Sequence, residues 1–275
     1  MSAEPPLLIE LRRVCRDRIA AVGHRGKSET HPENTLTAFR AALRAGADAI
    51  EFDTRPTRDG VLVCMHDLTL GRTTDARPGT RRVTAATLAA LRRLDAGRWK
   101  AREFARERVP TLGEALRTIA PTAVPMIERK GGSAAAYVAL LREMDLVDRV
   151  ILQAFDWRFV RRVRQLEPRL LTGALGHGPL GPAQLARIAA TGAHLVHWEY
   201  ATLAAEDVTA AHARGLLVCV YTANSDAALL GCAALGVDLI TTNRPDRLRW
   251  LLGRFPAATA RTSVPETKRP LARGR

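Results

Sequence analysis

His24-Arg25-Gly26, Pro32-Glu33-Asn34-Thr35, Glu51-Phe52-Asp53 and His66-Asp67 all lie between positions 24 and 67, set against short apolar runs. Such runs read as strands, and polar residues at strand ends are where a barrel or open α/β sheet builds its site. Glu51 and Asp53 stand two apart, so the strand period of two turns both carboxylates to one side. Two acids held together repel unless one is protonated or a cation lies between them. An oxygen-liganded divalent ion resolves that conflict. With His24 and His66 to move protons and Arg25 to hold an anion, the constellation suits metal-assisted phosphoester chemistry.

Outward from this stretch, β-like runs alternate with helical patterns: Ile19–Gly23, Asp48–Asp53, Ala123–Glu128, Val150–Ala154, Leu170–Ala174, His194–Trp198, Leu217–Tyr221 and Val237–Thr241. Amphipathic segments fill the gaps. One starts at Asn34 as N-cap, carries Leu36, Phe39 and Leu43 on one face and ends at Gly46; another opens with Thr111 and Glu114, the spacing of a capping box. Eight strand–helix repeats predict an α/β fold of the (β/α)8 TIM-barrel type. A ninth run, Val61–Met65, follows the second strand after only Thr57-Arg58-Asp59-Gly60. That is too short for a parallel crossover and suits a hairpin, so it predicts an antiparallel arm that returns His66 to the level of Glu51 and Asp53. The long connection 67–110 predicts a small inserted subdomain over the barrel mouth. The expected organisation is an N-terminal extension (1–18), a barrel (19–255) and a disordered basic tail (256–275).

The chain has 275 residues, 47% of them apolar, and a net charge of +14, of which residues 256–275 supply four. The arginine excess reads as solvated helix surface; without a basic stripe interleaved with aromatics it gives no sign of a nucleic-acid partner. No apolar run approaches a bilayer span and the N-terminus lacks a signal-peptide core, so no transmembrane segment is expected. Aromatic content of 5% gives no support to peripheral membrane contact. Cys15, Cys64, Cys219 and Cys232 have no close-pair spacing, which predicts buried reduced thiols in a cytoplasmic protein.

The ordered motifs make a resemblance. His-Arg-Gly, Pro-Glu-Asn-Thr, Glu-Phe-Asp, the Asp-Gly turn, His-Asp and Arg72-Thr73-Thr74 occur in the order found in glycerophosphodiester phosphodiesterases. Leu94-Asp95-Ala96-Gly97, Val109-Pro110-Thr111-Leu112 and Glu128-Arg129-Lys130 continue it, so the chain resembles that family from about Ala20 to Leu248. The resemblance implies a hydrolase of lipid and glycerol metabolism that splits glycerophosphodiesters into glycerol 3-phosphate and an alcohol. It implies that Glu51, Asp53 and Glu128 hold one divalent cation, Mg2+ or Ca2+, that His24 and His66 form the acid–base pair, and that Arg25 and Lys130 hold the phosphate. The chain departs from the family's usual residues at Ala154, Tyr221, Ala223 and Asn243, which bears on substrate preference rather than on reaction type.

Other readings stay open. Glu51, Asp53 and Glu128 could form a salt-bridge network with Arg25 and Lys130 instead of a metal site. Glu33, Asn34 and Asp67 are candidates to support the site from behind; Asn34 is also a plain helix cap, and Asp67 either orients His66 or opens the next turn. Trp198 and Tyr221 end strands near the mouth and read equally as pocket lining or as core. His31, His177, His194, His197 and His212 lack ligand spacing. A lysophospholipase D or other lipid phosphodiesterase would use the same centre, and a barrel that binds phosphodiesters without turnover would keep the fold alone.

Overall fold

In the computed structural model, which describes residues 4–254 apart from Pro78 and Thr80, the predicted strands close into a barrel. They are β1 (Ala20–His24), β2 (Ala49–Pro56), β3 (Leu62–Cys64), β4 (Val124–Arg129), β5 (Ile151–Ala154), β6 (Leu171–Gly176), β7 (Leu195–Glu199), β8 (Leu217–Tyr221) and β9 (Leu239–Thr242). All pair in parallel around the ring except β3, and β1 closes it by pairing with both β2 and β9. The architecture is a TIM barrel. β3 runs antiparallel to β2, with Thr54 opposite Cys64 and Gly60 at φ 80° in the turn. Its arm ends with the Met65 amide donating to the Asp53 carbonyl at 3.0 Å, which delivers His66 beside the inner face of β2.

Alternation along each strand sorts the side chains. Ala20, Val22, Ala49, Met126, Ile151, Leu171, Leu195, Leu217, Cys219 and Leu239 point inward and fill the lower barrel. Ala21, Ile50, Phe52, Ile127, Leu152, Val196, Val218 and Ile240 point outward to the helix layer. Helix α1 (Pro6–Asp17) lies in the stretch read as an N-terminal extension. Its Leu7, Leu8, Leu11 and Cys15 join the inner cluster and close the lower end. The spacing of those four residues is a single helical face.

Helix α2 (Leu36–Arg44) corrects one expectation. Its N-cap is Thr35, whose hydroxyl accepts from the Ala38 amide at 3.3 Å, and not Asn34, which sits at φ 58° with its side chain turned into the site. The Thr111–Glu114 capping box is formed as expected. Residues 67–110 contain one four-residue helix, Leu88–Leu91, and short 3-10 turns around a separate cluster of Val63, Met65, Leu70, Val83, Ala86, Leu91, Ala96 and Val109. All four cysteines are buried thiols. Among the described residues no helix is long and apolar enough to cross a membrane. The basic stretch 256–275 lies outside the described residues.

Candidate active site

The inward positions at the carboxyl ends of β1, β2 and β4 gather His24, Glu51, Asp53, Glu128 and Lys130. Glu51, Asp53 and Glu128 are buried, and each offers a carboxylate oxygen within 4.8 Å of the others. Asp53 stands in register with Glu128, so neighbouring parallel strands bring the second and third acids side by side.

Each acid is held differently. Asp53 is clamped by the buried Asn34, whose Nδ2 donates to Oδ2 at 3.0 Å while its Oδ1 accepts from the Asp53 amide at 3.2 Å. Asparagine tolerates the left-handed backbone this requires. Arg25 also adopts φ 54°, with Nε 3.1 Å from Asp53 Oδ2 and its NH1 donating to Glu33 at 2.7 Å. Gly26, at φ 89°, packs so closely on α2 that a Cβ would fall 2.6 Å from the Ala38 carbonyl carbon. Lys130 Nζ lies 3.4 Å from Asp53 and 2.5 Å from Glu128 Oε1. Arg129 turns to the outer face, where it stacks on Phe159.

The electrostatics are unbalanced. Burial, reinforced by Asp53, pushes the Glu128 carboxyl up to about 7. Burial, with Asp53 and Glu128 beside it, raises Glu51 well above the ordinary range. Burial also opposes ionisation of Asp53, yet Arg25 and Lys130 together hold it below its usual value. Two cations do not satisfy three buried carboxylates, and an added positive charge among their oxygens would.

The histidines flank this centre. His24 Nδ1 meets Asn243 Oδ1 at 2.7 Å, which leaves Nε2 facing the site 3.9 Å from Glu51 Oε2. Burial, then Arg25, lowers its pKa to about 4, so the ring is neutral. His66 Nδ1 meets Asp67 Oδ1 at 2.7 Å. Asp67 accepts from Arg72 Nε at 2.5 Å, and the same guanidinium donates to both oxygens of Glu33 at 2.6 and 2.8 Å. A continuous chain thus runs His66–Asp67–Arg72–Glu33–Arg25–Asp53.

Glu33, Asn34 and Asp67 are therefore all brought to the site, while Trp198 is not. Its outward parity on β7 buries it in the helix layer, with Nε1 donating to the Gly178 carbonyl at 2.6 Å. The absent side chain of Gly176 makes room for the ring, since a Cβ there would lie 2.1 Å from it. Tyr221 points inward and lines the mouth, its hydroxyl donating to the Gly176 carbonyl at 2.9 Å. Sequence reasoning did not place Arg72 or Asn243 at the site, although Arg72 stands in one of the recognised motifs and Asn243 among the departures. His197, inside the barrel, bridges Gln153 and Thr241 as a core residue.

A closed parallel barrel with titratable groups at the carboxyl ends of its strands is the construction of a TIM-barrel enzyme. Residues 24–247 match the model of the glycerophosphoryl diester phosphodiesterase family, and the chain belongs to that family. Glycerophosphodiester phosphodiesterases of Caldanaerobacter subterraneus and Bacillus subtilis are each 33% identical, the first over 82% of this chain and 95% of its own, the second over 84% and 85%. A phosphodiesterase of Oleispira antarctica, solved in complex with the product sn-glycerol-3-phosphate, superposes with a TM-score of 0.79 at 27% identity, covering 86% of this chain and 98% of the other.

Proposed function

We propose that this chain hydrolyses glycerophosphodiesters to glycerol 3-phosphate and an alcohol, with Glu51, Asp53 and Glu128 holding one divalent cation, Mg2+ or Ca2+. The observation that carries the reading is the buried triad of oxygens within 4.8 Å, short of positive charge and flanked by two histidines. An all-carboxylate donor set suits a hard ion, which when bound polarises the phosphoryl oxygens and lowers the pKa of a bound hydroxyl group. Arg25 and Lys130 are placed to take the phosphate and to meet the charge that develops on it. His24, neutral and held through Nδ1 by Asn243, presents Nε2 as the base. His66, held through Nδ1 by Asp67, presents Nε2 as the acid that protonates the leaving alkoxide. Four buried thiols accord with a cytoplasmic setting.

The nucleophile is water or the glycerol hydroxyl next to the esterified carbon. The second route gains the advantage of an intramolecular attack and passes through a cyclic glycerol phosphate. Product analysis on several glycerophosphodiesters, with and without chelator, tests the whole reading. Activity should disappear with EDTA, return with the ion, and fall by at least about a hundredfold in His66→Ala with metal affinity kept. Full activity after exhaustive dialysis against chelator would overturn the metal assignment. Equal turnover of a substrate and its analogue lacking the glycerol 2-hydroxyl would exclude the cyclic route.

A further inference from the structure

The arc of the mouth from β5 to β8 carries side chains with no part in that scheme. Phe155, Glu199 and Tyr221 take the inward parity at the ends of β5, β7 and β8, above Gln153, His197 and Cys219. Phe155 is 45% exposed. Its ring meets Tyr221 nearly edge-on at 6.3 Å and His177 at 6.2 Å, so the three rings make an open corner. Tyr221 is fixed in place by its bond to Gly176 and by the His197 ring at 5.1 Å.

Glu199 stands in register with Tyr221 on the neighbouring strand. It is partly exposed and forms no ion pair with any described residue, in a chain where 42 lysines and arginines outnumber 28 acids. After burial, its charge is the chief influence raising the Tyr221 phenol, which accords with its closeness to that ring. An unpaired carboxylate beside aromatic rings is a surface suited to an organic cation. A quaternary ammonium has no N–H to donate and is met by ring faces and a nearby negative charge. The corner also borders the phosphate side of the site, since Lys130 Nζ lies 5.7 Å from the centre of the Phe155 ring. In choline and ethanolamine esters the nitrogen is two carbons from the ester oxygen, so a phosphate neutralising Lys130 would carry that nitrogen onto the adjacent rim.

We propose that Phe155, Tyr221, His177 and Glu199 form the subsite for the departing alcohol, and that it selects cationic amino alcohols over neutral ones. This rests on the hydrolytic reading given above. The test compares kcat/KM for glycerophosphocholine and glycerophosphoglycerol in wild type, Glu199→Gln and Phe155→Leu, all loaded with the same divalent ion. Wild type should favour the choline ester by about tenfold, and each variant should lower kcat/KM for the choline ester by about fivefold or more relative to the glycerol ester, erasing most of that preference. Equal kcat/KM for the two esters in wild type, or equal losses on both in Glu199→Gln, would overturn the proposal. Titration with choline alone gives a readout independent of turnover: wild type should bind it and Glu199→Gln should bind it at least about tenfold more weakly. If no ester is hydrolysed yet this difference is found, the hydrolytic reading fails and the cation subsite stands. If esters are hydrolysed and no difference is found, the subsite fails alone.

Discussion

At the residue scale, Asn34 shows how a sequence signal can be right in kind and wrong in place. An Asn-Thr pair before an apolar helical pattern offers two candidate caps, and spacing does not separate them. Thr35 takes the cap, which releases the Asn34 amide to hold Asp53 at both its amide and its carboxylate. Asn34→Ala should leave the circular-dichroism spectrum unchanged and weaken divalent-ion binding by about ten- to a hundredfold in a calorimetric titration. Trp198 teaches the same lesson by parity: standing near a strand end does not bring a side chain to the mouth unless the alternation points it inward. The acids make a pH prediction. The ordinary carboxyl range lies well below the folded-state value of Glu128, about 7, and burial likewise holds Glu51 well above that range. The folded, metal-free protein therefore holds protons that the unfolded chain has released, and it loses stability as pH rises through about 7. Buried neutral histidines work the other way, but His24 and His194 at about 4 and His197 at about 3 have made their contribution below pH 6.5. From pH 6.5 to 8 the melting temperature of metal-free protein should fall, and saturating divalent ion should remove most of that slope. A flat profile without the ion would contradict the raised carboxyls.

At the element scale, the hairpin arm was legible because Asp59-Gly60 is a turn too short for a parallel crossover. The eight barrel strands were legible because each pairs an apolar run with turn chemistry, and their ends shift by no more than three residues, the most at the end of β2, read to Asp53 and observed to Pro56. What no local pattern announces is the tie between the insertion and the barrel. Arg72 and Glu33 are 39 positions apart, and their contact exists only once β3 has folded back on β2. Arg72 reaches both Asp67, which orients His66, and Glu33, which orients Arg25. Arg72→Met should lower kcat by about ten- to a hundredfold through loss of alignment. It should shift the alkaline limb of the pH–rate profile, which the general acid His66 sets, and Arg72→Lys should recover only part of the loss, because one ammonium cannot bridge two carboxylates in the planar geometry of a guanidinium. An unchanged pH profile in Arg72→Met would limit the residue to holding the insertion in place.

At the scale of the whole molecule, the barrel and its acidic centre could be read from the chain because strand parity, loop length and motif order all point to one topology. The N-terminal helix escaped that reading because Glu10 interrupts its apolar run, although Leu7, Leu8, Leu11 and Cys15 share a face. That helix has a consequence for traffic. It stoppers the cylinder at one end, so ester, alcohol, glycerol phosphate and any ion held by the acidic triad would share the doorway at the other, beneath the arginine-tied insertion. An ion held by the buried Glu51, Asp53 and Glu128 would lie beneath the phosphate-holding side chains and would leave last. Occupying the doorway with glycerol 3-phosphate should therefore slow the inactivation of the loaded enzyme by EDTA, and the protection should rise with product concentration to a plateau. Chelation at an undiminished rate under saturating product would show that the ion has a second exit.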